Sequence, residues 1–259
     1  MAGVSRQQYS TEIRLIRVMC TGRVDLNFIL RALANGMDGV FIGACRLNEC
    51  NYTTHGNYHA LSTVRLCQKI METIGLNPER LGIAFMSSAD GGLFTEVINE
   101  FSMKIKELGP LVAHGDADRS KVLSRIEEVR RLVPYIKIMK REKLTLRLKT
   151  QEEYDALYTA DEMERLLSDV VSYYIHPDKC QACMICSRKC PVEAIEGGKN
   201  RVHVIDQEKC IKCGTCFEAC PSRFGAVTKI SGGPVPDAIP EEARVIDAKK
   251  VEKPLPTTG

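Results

Sequence analysis

Apolar residues in the first 110 positions follow two alternating patterns: short unbroken runs rich in β-branched residues, and longer stretches where they recur every three or four residues. Ile13 to Met19 is such a run. The turn Cys20-Thr21-Gly22-Arg23 closes it, and Leu26, Ile29, Leu30 and Leu33 then recur at helical spacing up to Gly36. The pattern predicts strand, turn, helix. It returns with Gly39 to Ala44 as a second strand, a long loop to His59, and a helix from Ala60 that stops at Gly75-Leu76-Asn77-Pro78. A third copy has Leu81 to Ser87 as strand, Asp90-Gly91-Gly92 as turn, and a helix carrying Phe94, Val97, Ile98, Phe101, Ile105 and Leu108 up to Gly109-Pro110. Strands alternating with helices predict an α/β fold, a small parallel three-layer domain with right-handed crossovers.

Beyond it the pattern turns helical. Val122, Ile126, Val129 and Val133 share a face up to Pro134, and Met163, Leu166, Leu167, Val170 and Tyr174 share another. Between them Leu144, Leu146 and Leu148 alternate with Thr145, Arg147 and Lys149, the spacing of an edge strand. From Ser231 to Gly259 five prolines and many charges leave little to pack, which predicts a mobile tail. A length of 259 residues favours more than one core. The expected organisation is an α/β domain over 1–110, a helical connector over 111–175, a second folded domain over 176–230 and a flexible tail over 231–259.

Cysteine defines that second domain. Eight of the twelve cysteines form two copies of one spacing, Cys180-x2-Cys183-x2-Cys186-x3-Cys190-Pro191 and Cys210-x2-Cys213-x2-Cys216-x3-Cys220-Pro221. A cubane offers each iron one open position, and three thiolates from a short loop wrap one face of it. In two-cluster chains the last Cys of each run ligates the other cluster. The expectation is two [4Fe-4S] clusters, one held by Cys180, Cys183, Cys186 and Cys220, the other by Cys210, Cys213, Cys216 and Cys190. Zinc fits poorly, because its sites use C-x2-C pairs or histidine. Disulfides fit worse, with no signal-like start to the chain.

The first 175 residues hold the other four cysteines. Cys20 and Cys45 fall at the carboxyl ends of predicted strands, where open α/β sheets place their functional crevice, and Cys50 follows in the next loop. Neighbouring strands lie about 4.8 Å apart, so the three thiols can converge as candidate metal ligands; each alone reads equally as a small buried hydrophobe. Cys67 sits mid-helix with Val64 and Met71 and reads as core. His55 and His59 lie near Cys50 but read as exposed loop residues. Neither G-x-G-x-x-G nor G-x4-G-K-[ST] follows the first strand, so nothing marks a nucleotide or flavin site.

A formal charge of +3 gives no argument for nucleic acid. Between Arg119 and Lys149, eleven Lys or Arg face only Glu127, Glu128 and Glu142, which makes either a solvated helix face or a docking surface for an acidic partner. No apolar run approaches the roughly 18 residues of a membrane span, and a cytoplasmic location is expected.

The stretches Arg17-Val18-Met19-Cys20-Thr21-Gly22-Arg23-Val24-Asp25, Gly39-Val40-Phe41-Ile42-Gly43-Ala44-Cys45, Glu49-Cys50-Asn51-Tyr52, Gly56-Asn57-Tyr58 and Glu107-Leu108-Gly109-Pro110 resemble the delta subunit of methyl-viologen-reducing hydrogenase over most of residues 5 to 110. The C-terminal part resembles a bacterial-type dicluster ferredoxin with an α+β fold. The first resemblance implies a [2Fe-2S] cluster, with Cys20, Cys45 and Cys50 on the family's cysteine positions. It also implies electron relay between a hydrogenase, or a formate dehydrogenase in its place, and the flavin-containing subunit of a heterodisulfide reductase. The family's opening C-x2-C segment has no counterpart here, leaving three thiols where four-Cys ligation needs one more. A separate polypeptide, a start placed too late, or a front domain that has lost its cluster would each account for this.

The expected function is therefore an electron-transfer subunit with no catalytic site of its own, since outer-sphere transfer needs no acid, base or nucleophile. The rivals are an adaptor whose front domain lacks its cluster, and a flavin-binding reductase fused to a ferredoxin.

Overall fold

The computed structural model describes residues 6–52, 56–111 and 115–246, with side chains from residue 120 onward in the last stretch. The chain divides into two compact units, residues 1–167 and 168–259.

In the first unit α1 (Leu26–Ala34), β1 (Val40–Ala44), α2 (Asn57–Thr73), β2 (Leu81–Phe85) and α3 (Gly91–Leu108) precede α4 (Gly115–Met139), α5 (Arg141–Thr145), α6 (Gln151–Asp155) and α7 (Ala160–Ser168). The Asp25 carboxylate starts α1 by accepting from Asn27 N at 2.8 Å and also pairs with Lys137 of α4. Leu26, Ile29, Leu30 and Leu33 then bury one face of α1, which packs on α4. α2 is the central helix: Leu61, Val64, Leu66, Cys67, Ile70 and Met71 are fully buried. It ends as its sequence predicts, at Gly75 with φ of 80°, where Leu76 N reaches back to Met71 O at 2.8 Å.

β1 and β2 pair in parallel, Val40 opposite Leu81 through Ala44 opposite Phe85. Phe41 meets Phe101 of α3, with ring centroids 5.2 Å apart, while Ile83 and Phe85 pack toward Tyr58 and Leu61 of α2. The α/β class and the three layers are thus present, with two strands among the described residues of this unit.

Arg80 locks the layers. It is buried, and its guanidinium donates to the carbonyls of Asp38 (2.9 Å), Gly109 (2.9 Å) and Leu108 (3.1 Å), satisfying acceptors that the end of α3 leaves open. Burial lowers its pKa and Asp38 opposes that shift.

Four local expectations fail here. Ile13 to Met19 forms no strand: the segment has no ladder partner among the described residues, and Leu15, Ile16 and Met19 stay exposed. The chain just before it is tied to α3 instead, through Tyr9 against Phe94 and Ser10 N to Asn99 Oδ1 at 2.9 Å. Pro134 does not end its helix; it lies inside α4, where burial of Val133, Tyr135 and Ile136 outweighs one missing backbone bond. Leu144 to Lys149 is no edge strand, because α5 runs through Thr145 and Leu144 is buried from a helical position. The helix through Met163 and Leu166 ends at Ser168, and Tyr174 lies in a strand.

In the second unit β3 (Val171–Ile175), α8 (Ile185–Lys189), β4 (Ile195–Gly198), β5 (Arg201–Ile205), α9 (Thr215–Ala219) and β6 (Val227–Ser231) follow in order. β3 pairs with β6 and β4 with β5, both antiparallel. Tyr173, Ile175, Ile195, Val202, Ile205, Ala226 and Val227 form one core with Cys180, Cys186 and Cys216. After β6 the proline-rich stretch returns to the β4–β5 hairpin: Val245 bridges Arg201, Ile246 N donates to Asn200 O at 2.8 Å, and Arg244 pairs with Glu196 at 3.3 Å. The rest of the expected tail, residues 247–259, lies outside the described residues.

Two tests follow from the packing of the first unit. Arg80→Met leaves several carbonyls without a donor and is expected to lower stability by about 3 kcal/mol, read from the urea midpoint. Tyr158 is buried with its hydroxyl 3.0 Å from Ser62 Oγ, and burial pushes the phenol up to about 12. The unfolded chain releases that proton near pH 10, roughly the free tyrosine value, so stability present below that pH is lost as pH rises toward the folded-state value. Tyr158→Phe is expected to flatten the fall in urea midpoint between about pH 10 and 12, the span of that transition.

Candidate iron-sulfur sites

The two thiol runs of the second unit fold alike because their backbones share one set of dihedral angles. Ala182 and Met184 in the first loop, and Lys212 and Gly214 in the second, have positive φ (50°, 63°, 57° and 83°). Alternating left-handed residues turn backbone N–H groups inward, toward whatever negative charge the loop encloses. Lys212 N donates to Cys210 Sγ at 3.4 Å, Ala194 N to Cys190 Sγ at 3.3 Å, and His203 N to Cys180 Sγ at 3.5 Å. Thr215 Oγ1 lies 3.2 Å from Cys213 Sγ. Each loop is anchored ahead of its first cysteine by matching bonds, His176 N to Ala226 O and Asp206 N to Ala194 O, both 2.8 Å. Gly214 has a steric reason as well: a Cβ there would stand 2.7 Å from the Tyr173 hydroxyl.

The thiols group across the two runs. The Cys186 thiol is pushed up to about 11 by burial and by the neighbouring Cys180, Cys183 and Cys220. Cys210 is raised by burial, with Cys213 and Cys190 adding to it. Cys216 rises to about 12, through burial and then Cys210, Cys186 and Cys213. A cavity lined by Cys190, Cys210, Cys213 and Cys216, with Tyr173, Ile195 and Ile205 behind them, lies within the second group. Such thiols are poor nucleophiles on their own; an adjacent metal cation reverses that and makes them thiolate ligands. Among the described residues no three Cys, His, Asp or Glu side chains close on a point as ligands of one metal ion do. Soft sulfur donors set in a wider basket fit a multi-iron cluster.

In the first unit Cys45 follows β1 directly, Cys20 precedes a 3-10 turn at Thr21–Arg23, and Cys50 lies in the loop before α2. They come together: burial raises the Cys45 thiol, and Cys50 and Cys20 raise it further. The loop between them is held by residues that spacing alone does not flag. Buried Asn57, at the start of α2, donates to Cys45 O (2.9 Å) and Arg46 O (2.7 Å). Tyr58 donates to Asn48 Oδ1 at 2.7 Å, and Arg46 grips both Asp90 oxygens at 2.7 Å. The signal was present in the Gly56-Asn57-Tyr58 triplet, where a buried amide opens a helix beside a cysteine loop. Cys67 stands apart, fully buried in α2, with its thiol pushed far up by burial. His59 is partly buried and its Nδ1 lies 3.0 Å from Leu144 O; His55 lies outside the described residues.

Comparisons with known proteins match one segment in each of the two units. The family described as methyl-viologen-reducing hydrogenase, delta subunit, matches residues 1–109, and a 4Fe-4S dicluster domain matches residues 172–221. An iron-sulfur subunit of the F420-non-reducing hydrogenase of Archaeoglobus profundus is 43% identical over 110 residues, 42% of this chain and 80% of that protein. The corresponding vhu iron-sulfur protein of the F420-non-reducing hydrogenase of Methanococcus maripaludis is 44% identical over 110 residues, 42% of this chain and 81% of that protein. One subunit of the ferredoxin/F420H2-dependent CoB-CoM heterodisulfide reductase of Methanosarcina acetivorans is 42% identical over 111 residues, 43% of this chain but 14% of that much longer protein. On these matches the chain belongs to the methyl-viologen-reducing hydrogenase delta subunit family and carries a 4Fe-4S dicluster domain behind it.

Proposed function

We propose that this chain is the iron-sulfur electron-transfer subunit of an oxidoreductase complex, relaying electrons between a hydrogenase or other dehydrogenase and a heterodisulfide-reductase-type flavoprotein. The observation that supports the reading is that Cys220 of the second run neighbours Cys186 of the first, while Cys190 of the first run lines a cavity with Cys210, Cys213 and Cys216. Two [4Fe-4S] clusters are then held by Cys180, Cys183, Cys186 and Cys220, and by Cys210, Cys213, Cys216 and Cys190. Cys20, Cys45 and Cys50 are the thiols of a [2Fe-2S] site in the front domain, one short of four-Cys ligation.

When bound, the clusters supply one-electron redox chemistry. The chain's own residues keep water out, with Ile195, Val202, Ile205 and Val227 packed behind the buried thiols. The backbone N–H groups of Ala194, His203 and Lys212 point at the sulfurs and favour added negative charge. The relatives are described as parts of a heterodisulfide reductase and of a hydrogenase, and these supply the two kinds of partner. None of the twelve cysteines is paired in a disulfide, which leaves their sulfurs available as ligands.

One observation favours a second reading. The front site offers three thiols, and the remaining cysteine of that unit, Cys67, is sealed in the core; an adaptor domain without a cluster would look the same. Iron per chain separates the two, about eight atoms for the adaptor and about ten for a cluster-bearing front domain. Cys213→Ala is expected to remove one [4Fe-4S] signal, leave the first unit folded by circular dichroism, and cut electron throughput in the purified complex at least tenfold, roughly the loss expected when one station of a relay is removed. Full throughput in that variant would sink the relay.

A further inference from the structure

His203 lies on β5 and is fully buried. Its Nδ1 stands 3.8 Å from Cys180 Sγ, the sulfur that also accepts from the His203 backbone N–H at 3.5 Å. Its other nitrogen, Nε2, has no hydrogen-bond partner among the described residues. A metal-bound thiolate only accepts, so Nδ1 must carry the imidazole proton and Nε2 keeps a bare lone pair.

The fold is built to admit this ring. β4 is irregular between Glu196 and Gly198, and the intervening Gly197 passes so close that a Cβ there would lie 2.6 Å from His203 Cδ2 and 2.7 Å from Cγ. The other half of the unit makes the comparison. Seven residues before the first cysteine of each run stand Tyr173 and His203. Tyr173 lines the cavity of Cys190, Cys210, Cys213 and Cys216, while His203 abuts Cys180. A phenol faces one thiol set and an imidazole N–H the other.

We propose that His203, donating from Nδ1 to Cys180 Sγ, is a positioning residue that raises the reduction potential of the cluster held by Cys180, Cys183, Cys186 and Cys220. Reduction places more negative charge on the sulfurs, and a donor aimed at one of them stabilises the reduced state more than the oxidised one. The inference rests on the cluster reading above.

The test is an anaerobic potentiometric titration of the full chain followed by electron paramagnetic resonance, in the native sequence and in the Cys213→Ala background that isolates the Cys180 set. His203→Leu is expected to lower the potential of that cluster and leave the other unmoved. His203→Asn, whose amide N–H reaches the place of Nδ1, is expected to restore it in part. An unmoved potential in His203→Leu, or an equal fall in both variants, overturns the inference. If His203→Leu fails to keep its clusters, pulsed resonance on native protein labelled with 15N-histidine decides: a nitrogen coupling to the reduced cluster that His203→Asn removes supports the contact, and no coupling overturns it. Absence of iron and of any reduced-cluster signal in the native chain overturns the cluster reading itself, an outcome distinct from an unmoved potential.

Discussion

A buried thiolate without a cation beside it is untenable, and the C-terminal unit is organised around that fact. Its core places Cys180, Cys186 and Cys216 among isoleucines and valines, where burial pushes the thiols of Cys186 and Cys216 to about 11 and about 12. Sulfur this dry becomes a ligand only when iron supplies positive charge. The short helices, each of five residues, and the left-handed turns before them have little stability of their own. They make sense as walls of a cluster site, held by two antiparallel strand pairs.

The first unit gathers three thiols by a different route. Its thiols come from separate loops, and what brings them together is the parallel pairing of β1 with β2 beneath α2. Asn57 transmits that order to the loop, because its amide clamps Cys45 O and Arg46 O from the first turn of a buried helix. Arg80 does the equivalent at the opposite end of the strands, tying the turn before β1 to the end of α3. The thiol loop is therefore held from a rigid layer.

What could be read from sequence divides by the range of the interaction that decides it. The 4Fe-4S dicluster domain was legible because its cysteine spacing is a local pattern, and the α1 face, β1, β2 and the Gly75 stop were legible for the same reason. Ile13 to Met19 was not, since β-branched composition makes a strand only when a neighbour offers a ladder, and that neighbour is a tertiary fact. Pro134 misled for the mirror reason: its local penalty is real, but Val133, Tyr135 and Ile136 bury deeply enough to override it. Asn57 and His203 carry no spacing signature at all. Their roles appear only when the helix start meets a cysteine loop, or when β5 lies against Cys180.

Burial within the sites is uneven, and the unevenness suits a relay better than a store. In the Cys180 set, Cys180 and Cys186 are buried while Cys183 is exposed; in the front site Cys45 is exposed beside partly buried Cys20 and Cys50. A uniformly sealed cluster would be protected from solvent but insulated from any partner, whereas a uniformly open one would lose the low-dielectric surround that fixes its potential. In the Cys180 set, exposed Cys183 beside buried Cys180 and Cys186 meets both demands. It gives electrons an edge from which to leave while the buried sulfurs, and the N–H groups aimed at them, set the energy at which they do so.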